Sequence, residues 1–158
     1  LGAPLPFCMR FRRVADGSLP IFGLGKAFYH PLYIDNFVDA LERVTHDGVG
    51  DGRTYLIADQ EYVTIEDLVR RVAVAMDRKV STPRLPFWPL WLAGHAFEKA
   101  CKPLRITPPI FPRRVDWYRQ NRAFDISRAK NEIGYDPRVG LDEGLRATAQ
   151  WYESEGYL

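Results

Sequence analysis

The amino-acid sequence predicts an α/β fold, and three features of the chain support this. Apolar runs rich in β-branched and aromatic residues alternate with amphipathic helical patterns over residues 20–76. Clusters of glycine, proline and aspartate separate these runs, as they commonly separate strands from helices. From residue 122 onward, two further helical patterns follow with their own start and stop signals.

The first elements are a helix and three extended runs. Residues 7–15 predict an amphipathic basic helix, and residues 20–23 predict a short strand or extended turn. Two longer runs, residues 29–34 and 53–58, are rich in the residue types that strands prefer. We expect both to be strands of one sheet.

Two amphipathic helices lie between and after these runs. Asp35 is a good N-cap residue, so we expect it to cap a helix over residues 36–45. Thr64 and Asp67 have the spacing of a capping box, which predicts a helix that ends near Met76. The apolar face of the first helix is expected to contain Phe37, Ala40, Leu41 and Val44.

The segment from residue 80 to residue 112 is rich in proline, and residues 85–97 are almost wholly apolar. A helix is predicted from Pro89 to about Lys102, because proline loses no hydrogen bond in a first turn. The apolar stretch is shorter than the roughly 20 residues that span a bilayer. We favour a buried lid helix over a substrate cleft, and the alternative is a patch that faces a membrane surface or a partner.

Two helices are predicted near the end of the sequence. Asp125 or Ser127 is expected to cap a short helix, and Gly134 to end it in the left-handed conformation. A second helix starts near Leu141, with acidic residues in its first turn, where negative charge suits the helix dipole.

Composition limits the classes of function. The 158 residues correspond to one domain, and 22 Lys and Arg against 20 Asp and Glu do not indicate a nucleic-acid or anionic-lipid partner. Cys8 and Cys101 show no metal-ligand spacing, which favours two reduced thiols in a cytoplasmic protein. No secretory leader is recognisable in the first residues, so we expect a soluble globular protein.

Few residues are candidates for catalysis or cofactor binding. No tyrosine is followed by a lysine four residues later, and no Ser/His/Asp arrangement is recognisable. Gly23-Leu24-Gly25 lacks the third glycine of a dinucleotide fingerprint, since Phe28 stands in its place. The three histidines, at positions 30, 46 and 95, do not have metal-ligand spacing. We therefore expect no catalytic, cofactor-binding or metal-binding residue in this chain.

Five stretches follow one another along the chain: Pro20-Ile-Phe-Gly-Leu-Gly25, Tyr33-Ile-Asp-Asn-Phe-Val-Asp-Ala40, Thr54-Tyr-Leu-Ile-Ala58, Val63-Thr-Ile-Glu-Asp-Leu68 and residues 122–146. In this order and spacing they resemble extended short-chain dehydrogenases/reductases of the NAD-dependent epimerase/dehydratase family. Members also have a glycine-rich turn and a Tyr-x-x-x-Lys pair, neither of which occurs in this sequence. The resemblance is thus to the C-terminal half of these enzymes.

The resemblance implies an incomplete C-terminal part of a Rossmann-type doubly wound fold. Residues 1–79 would supply late strand/helix units of the sheet, and residues 80–158 a helical, proline-rich substrate-binding region with the C-terminal helices. The parent protein would use NAD or NADP, whereas this chain alone is expected to be inactive and to bind neither. Uncovered sheet edges predict a homodimer or larger assembly.

The resemblance also implies a substrate site. Its walls would include residues 7–13, 22–29 and 88–122, and Arg122 matches a phosphate-contacting arginine of nucleotide-sugar enzymes. Many of those enzymes have a further arginine where this chain has Tyr29, and the apolar 86–97 segment is more typical of hydroxysteroid or sterol dehydrogenases. A nucleotide sugar is the favoured substrate, with the Arg122 side chain pointing into the cleft beside Trp117 or Tyr118. The alternatives are a sterol-like alcohol and a non-catalytic binding or assembly module. For the sterol-like alcohol, Arg122 would pair with Asp116 or Asp125, and an apolar slot would be lined by Phe87, Trp88, Trp91 and Phe97. The expected substrate-binding residues are Phe22, Tyr29, Trp88 and Arg122.

Overall fold

The computed structural model describes residues 6–46, 49–104 and 120–158. The helices are α1 (Pro6–Ala15), α2 (Ile34–Val44), α3 (Ile65–Ala75), α4 (Phe87–Leu104), α5 (Ser127–Ile133) and α6 (Leu141–Ser154). The strands are β1 (Ile21–Phe22), β2 (Phe28–Tyr29), β3 (Val63–Thr64) and β4 (Arg84–Leu85).

The strands form two short pairs. β1 and β4 are parallel, with hydrogen bonds from the Ile21 N–H to the Pro83 carbonyl (3.0 Å) and from the Gly23 N–H to the Leu85 carbonyl (2.9 Å). β2 and β3 are antiparallel, and β2 also forms an isolated bridge between Tyr29 and Arg122. These pairings bring the start of α4 and the residues just before α5 to the β1–β2 loop.

Helix starts agree with the sequence prediction where the signal is local. The Thr64 hydroxyl accepts a hydrogen bond from the Asp67 N–H (3.1 Å), which confirms the predicted cap of α3. Gly134 ends α5 with φ of 63°, as predicted. The Asp125 carboxylate accepts from the Ser127 N–H (2.9 Å), although the N-cap position itself is held by Ile126.

The predicted start of α2 is wrong. The helix begins at Ile34 with Tyr33 as N-cap, and Asp35 lies inside the first turn without capping it. The reason is a distant group: the Asp59 carboxylate accepts the Tyr33 N–H at 3.0 Å and starts the helix two residues earlier than the local signal predicts. Asp35 still suits the positive end of the helix dipole.

The larger apolar core lies between α1, α3 and α6. Phe11 and Val14 of α1 are fully buried, and the Phe11 ring meets the Tyr152 ring edge-to-face at 5.2 Å. Burial of side chains of this size contributes about 2 kcal/mol each. The other buried members are Cys8, Val63, Leu68, Val72, Ala73, Met76, Leu141, Leu145 and Ala149.

A smaller core joins α2, α5 and residues 55–58. Its buried members are Ala40, Ala58, Ile126, Ala129, Ile133 and Tyr135. The Tyr135 hydroxyl donates to the Ala58 carbonyl (2.9 Å), and burial raises the pKa of this hydroxyl to about 12. The group therefore remains protonated and keeps its role as a donor.

Two predicted elements lack the cover expected for them. The apolar face of α2 forms, but Phe37, Leu41 and Val44 are exposed and only Ala40 of the predicted set is buried. Residues 53–58 run without regular secondary structure, and no backbone hydrogen bond joins residues 54–58 to a strand in the described ranges. A strand needs a paired neighbour, so the predicted strand is not formed among the described residues; its sheet partners were expected in the nucleotide-binding half of the parent protein. The strand predicted for residues 29–34 is also wrong beyond Tyr29, because β2 ends there and α2 begins at Ile34.

The prediction that α4 is a buried lid is wrong for the side chains that the structure describes. Trp88, Trp91 and Leu92 are all exposed, Trp88 to 67%. The helix starts two residues before Pro89, which lies in the first turn as predicted. Among the described residues, none of the helices is long and apolar enough to cross a bilayer.

A buried polar network ties α2 to the rest of the chain. Asn36 and Asp59 are each only 2% exposed, and the Asn36 Nδ2 donates to the Asp59 carboxylate (2.8 Å) and to the Val139 carbonyl (2.9 Å). The Asn36 Oδ1 accepts from the N–H groups of Arg138 and Val139, both at 3.0 Å. One amide thus joins α2 to two other segments, at Asp59 and at the Arg138–Val139 turn.

We predict that Asn36→Ala destabilises the fold by about 3 kcal/mol, because it leaves a buried carboxylate and three backbone polar groups with fewer partners. Urea unfolding of wild type and variant measures this. Asn131→Ala is the control, since Asn131 lies exposed on α5 and should change stability by less than about 0.5 kcal/mol. Equal effects of the two substitutions would contradict the role given to Asn36.

Candidate substrate cleft

A cleft of about 430 Å³ lies where β1, the β1–β2 loop and the start of α4 meet. Its volume is within the range of small-molecule sites. Its lining residues are Phe22, Gly23, Leu24, Gly25, Lys26, Ala27, Phe87 and Asn121.

The loop that forms the floor of the cleft is held by its own carbonyl groups. The carbonyls of Gly25 and Ala27 accept the N–H groups of Glu66 (3.2 Å) and Ile65 (3.0 Å), the first residues of α3. These N–H groups have no partner within the helix, so the loop completes the end of α3 and is fixed by it. Because β2 follows this loop, the loop does not lead into a helix N-terminus of the dinucleotide-binding kind.

Gly25 is required by both conformation and space. Its φ is +66°, and a Cβ atom there would lie 2.9 Å from the Ile21 Cγ2 and 3.3 Å from the Glu66 Cβ. Real Cβ atoms do not approach that closely, so the loop can lie against β1 only with glycine at this position.

The cleft combines aromatic walls with hydrogen-bond donors. Phe22 and Phe87 supply the aromatic walls, and Lys26 is an exposed cation in the loop. The Asn121 Oδ1 accepts from the Phe28 N–H (3.1 Å), which directs the donor side of this amide away from β2. Flat apolar surfaces with a few donors suit a planar ring that carries an anionic or polar group.

Of the four residues predicted for substrate binding, Phe22 lines this cleft and the other three do not. Trp88 and Arg122 do not line it but directly follow two lining residues, Phe87 and Asn121. The Tyr29 ring instead packs against the larger core, with the guanidinium carbon of Arg10 at 5.6 Å from its centroid.

Arg122 is placed by its backbone beside the cleft. Its N–H donates to the Phe28 carbonyl (2.9 Å), and its Nη2 donates to the Gln120 Oε1 (3.3 Å). The sequence-based alternatives placed its side chain beside Trp117 or Tyr118, or paired it with Asp116 or Asp125. Asp116, Trp117 and Tyr118 lie outside the described ranges, and the Asp125 carboxylate accepts from the Ser127 N–H (2.9 Å).

Three other lining side chains relate differently to the sequence predictions. Phe87 was named only for the sterol-like alternative, and the helical phase at the start of α4 decides that it, and not the adjacent Trp88, lines the cleft. Lys26 and Asn121 lie within the predicted wall ranges, residues 22–29 and 88–122, but were not singled out.

A second cavity of about 430 Å³ lies between α2 and α5, lined by Asp39, Glu42, Arg43, His46, Val49, Glu132 and Ile133. Several of its charged groups form ion pairs with each other or with nearby residues: Arg43 binds Asp39 (2.7 Å) and Glu132 binds Arg53 (2.8 Å). Hydrogen bonds from Arg53, Tyr55 and Arg128 lower the pKa of Glu132 to about 2. We interpret this cavity as a surface ion-pair network, because these pairings occupy charges that a ligand would need.

Comparison with known proteins finds relatives that this chain matches over part of their length. No family model matches the chain. A 3beta-hydroxysteroid-dehydrogenase/decarboxylase of Arabidopsis thaliana is 29% identical over 146 residues, which cover 85% of this chain and 33% of that protein. A UDP-glucose 4-epimerase of Vibrio cholerae is 26% identical over 150 residues, which cover 94% of this chain and 42% of that protein. The uncharacterised protein YbjS of Escherichia coli is 27% identical over 90% of this chain, which spans 43% of its length.

Solved structures agree with the fold. The UDP-glucose 4-epimerase of Thermotoga maritima with UDP-glucose gives a TM-score of 0.66 at 21% identity, over 93% of this chain and 38% of that one. The dTDP-glucose 4,6-dehydratase of Bacillus anthracis in complex with NAD gives 0.61 at 18% identity, over 92% of this chain and 38% of that one. The fold is therefore that of the C-terminal part of a Rossmann-type enzyme, as predicted.

The steroid dehydrogenase, the two epimerases and the dehydratase are extended short-chain dehydrogenases/reductases of the NAD-dependent epimerase/dehydratase family, and this chain is similar to part of each. The predicted family resemblance is confirmed. The chain spans less than half the length of the curated relatives it matches.

We predict that Gly25→Ala destabilises the chain by about 3 kcal/mol, because it adds a steric clash to the strain of a positive φ. Gly17→Ala is the matched control, since Gly17 has φ of +80° but no atom within 4 Å of an added Cβ. The control should lose only about 1 kcal/mol. Equal losses in thermal unfolding would show that the contact with β1 does not constrain the loop.

Proposed function

We propose that this chain is the substrate-binding C-terminal portion of an NAD(P)-dependent epimerase/dehydratase-type oxidoreductase that acts on a nucleotide sugar. Residues 1–79 contribute late units of the Rossmann-type sheet, and residues 80–158 contribute the substrate-binding region. The observation that carries the proposal is the aromatic, donor-lined cleft at β1, to which both parts contribute side chains.

The described residues contain groups for binding a substrate, and we assign catalysis and cofactor binding to another part of the parent protein. The cofactor supplies hydride transfer to or from a secondary alcohol carbon. The described loop of Gly23 and Gly25 does not fit a dinucleotide, because it leads into β2. The acid/base tyrosine, its lysine and the NAD(P) site are accordingly assigned to another part of the parent protein, and this chain orients the substrate.

The nucleotide-sugar assignment is supported by the donors near the cleft. Lys26 and Asn121 line it, and Arg122 follows in the chain. A planar base can stack on Phe22 or Phe87, and a diphosphate is well matched by a lysine and a guanidinium. Trp88, which follows the lining residue Phe87, adds a further aromatic side chain at the start of α4. Tyr29 contributes to the position of Arg122 through the backbone bridge between these two residues.

A sterol-like alcohol is the second candidate substrate. The exposed apolar side chains of Trp88, Trp91 and Leu92 on α4 favour it, as does the steroid dehydrogenase among the relatives. Tyr29 occupies the position where many nucleotide-sugar enzymes have an arginine. A non-catalytic binding or assembly module is a third hypothesis. Turnover of substrate by the parent protein would distinguish the two enzyme proposals from it.

The experiment is a calorimetric titration of the chain with UDP as a probe. We expect saturable binding that weakens about tenfold or more in Arg122→Ala, because a charge-assisted hydrogen bond is worth about 1.5–3 kcal/mol. Arg70→Ala is the control, since Arg70 lies on the exposed side of α3 and should leave the Kd unchanged.

Three outcomes would contradict parts of the proposal. Saturable low-micromolar binding of NAD(H) at one site per chain would show that the cofactor site lies within this chain. Binding of a sterol but not of UDP would favour the second substrate class. Equal UDP affinity of wild type and Arg122→Ala would remove Arg122 from the site.

We also propose a cytoplasmic protein in which this chain by itself forms a homodimer or larger assembly. The exposed face of α2 and the unpaired residues 54–58 would be covered by the nucleotide-binding half in a longer protein, and by a second copy here. Sedimentation equilibrium should show association that Leu41→Glu on α2 weakens. Val74→Glu is the control, since Val74 is 75% exposed on α3. A monomer at all concentrations would contradict this.

A further inference from the structure

His30 lies between β2 and α2 and is only 9% exposed. Its ring lies nearly parallel to the Phe124 ring, with centroids 6.1 Å apart, and meets the Tyr62 ring edge-to-face at 5.8 Å. The histidine therefore packs between two aromatic side chains and close to the segment that carries Asn121 and Arg122.

Both ring nitrogens of His30 form hydrogen bonds, and their partners determine the tautomer. The Phe124 N–H donates to Nδ1 (3.1 Å), so Nδ1 is an acceptor without a proton. Nε2 lies 2.8 Å from the Asp59 carbonyl oxygen, which can only accept. These two partners assign the donor role to Nε2 and the acceptor role to Nδ1.

The hydrogen bond from the Phe124 N–H to His30 positions one end of the cleft segment, by which we mean residues 120–124. Within the described residues, two hydrogen bonds join this segment to β2: the Arg122 N–H donates to the Phe28 carbonyl (2.9 Å) and the Phe28 N–H donates to Asn121 (3.1 Å). His30 supplies a third, on the side nearer α5. Because Asp59 is itself held by Asn36, this bond links the segment to the buried network of α2.

We propose that His30 is a positioning residue for the substrate cleft. Its Nδ1 acts through the Phe124 N–H to set the register of Asn121 and Arg122 relative to Phe22 and Phe87. The inference rests on the proposed function, because it gives those residues a role in substrate binding. The Nδ1 acceptor performs the positioning, and the hydrogen bond from Nε2–H to the Asp59 carbonyl orients the ring.

Three substitutions separate the functions of the ring. In His30→Asn, the Oδ1 atom is bonded to Cγ like Nδ1 and can accept from Phe124. In His30→Gln, the amide reaches the position of Nε2 and keeps the bond to Asp59 but not the acceptor. In His30→Phe, the ring packing remains and both hydrogen bonds are lost.

The first readout is amide hydrogen exchange of Arg122 and Phe124, which needs no ligand. We expect exchange to be about tenfold faster in His30→Gln and His30→Phe, since a local hydrogen bond is lost. His30→Asn should remain close to wild type, and amides of α6 should be unchanged in all three. The second readout is the UDP Kd, which should rise about fivefold or more in the Gln and Phe variants and by less than about twofold in the Asn variant.

The outcomes are distinguishable. If His30→Gln keeps wild-type exchange, or His30→Asn loses as much protection as His30→Phe, the positioning role is overturned. If wild type does not bind UDP, the nucleotide-sugar proposal fails while the exchange data still decide the role of His30. If a variant does not fold, ¹⁵N spectra of the wild-type ring suffice: protonated Nε2 with Nδ1 coupled to the Phe124 amide supports the proposal, and a protonated Nδ1 overturns it.

Discussion

The hydrogen bond between the Asn36 amide and the Asp59 carboxylate is the interaction on which the rest of the structure depends. Both groups are buried, and a buried carboxylate is tolerated only when its lone pairs are satisfied. Asn36 and the Tyr33 N–H supply that satisfaction and thereby fix the first turn of α2. The same amide holds the turn before α6, so two helices are oriented by one side chain.

From this network, the polar contacts extend to the cleft. The Asp59 carbonyl meets His30, His30 meets Phe124, and the chain then leads back to Asn121 and Arg122. On the other side, the β1–β2 loop is fixed by the first N–H groups of α3, which packs in the larger core. The cleft walls are therefore held by two independent parts of the fold, one polar and one apolar, which is the rigidity that a binding site requires.

Elements with local signals could be predicted from the sequence, whereas those that depend on distant groups could not. The Thr64 cap and Gly134 are specified by residues within one turn, and both were predicted. The start of α2 depends on Asp59, more than twenty positions away, so the local signal of Asp35 was misleading. Residues 53–58 have the composition of a strand, but composition does not supply a partner for its backbone.

The same distinction applies to the candidate site. Phe22 was predicted because it belongs to a recognisable motif around the Gly-x-Gly turn. Phe87 was named only for the sterol-like alternative, because the choice between it and Trp88 is set by helical phase. His30 was not singled out, because a single histidine gives no signal until both ring partners are known. The Tyr29 ring faces the larger core, since β2 pairs with β3 and directs that side chain toward α1.

Ligand is expected to bind at β1 and not between α2 and α5. The most direct test is a map of backbone amide chemical shifts in the ¹⁵N-labelled chain during titration with UDP. We expect shifts concentrated in residues 22–28, at Phe87 and Trp88, and at Asn121 and Arg122. Shifts concentrated instead around Asp39, Glu42 and His46, with the β1–β2 loop unchanged, would contradict it.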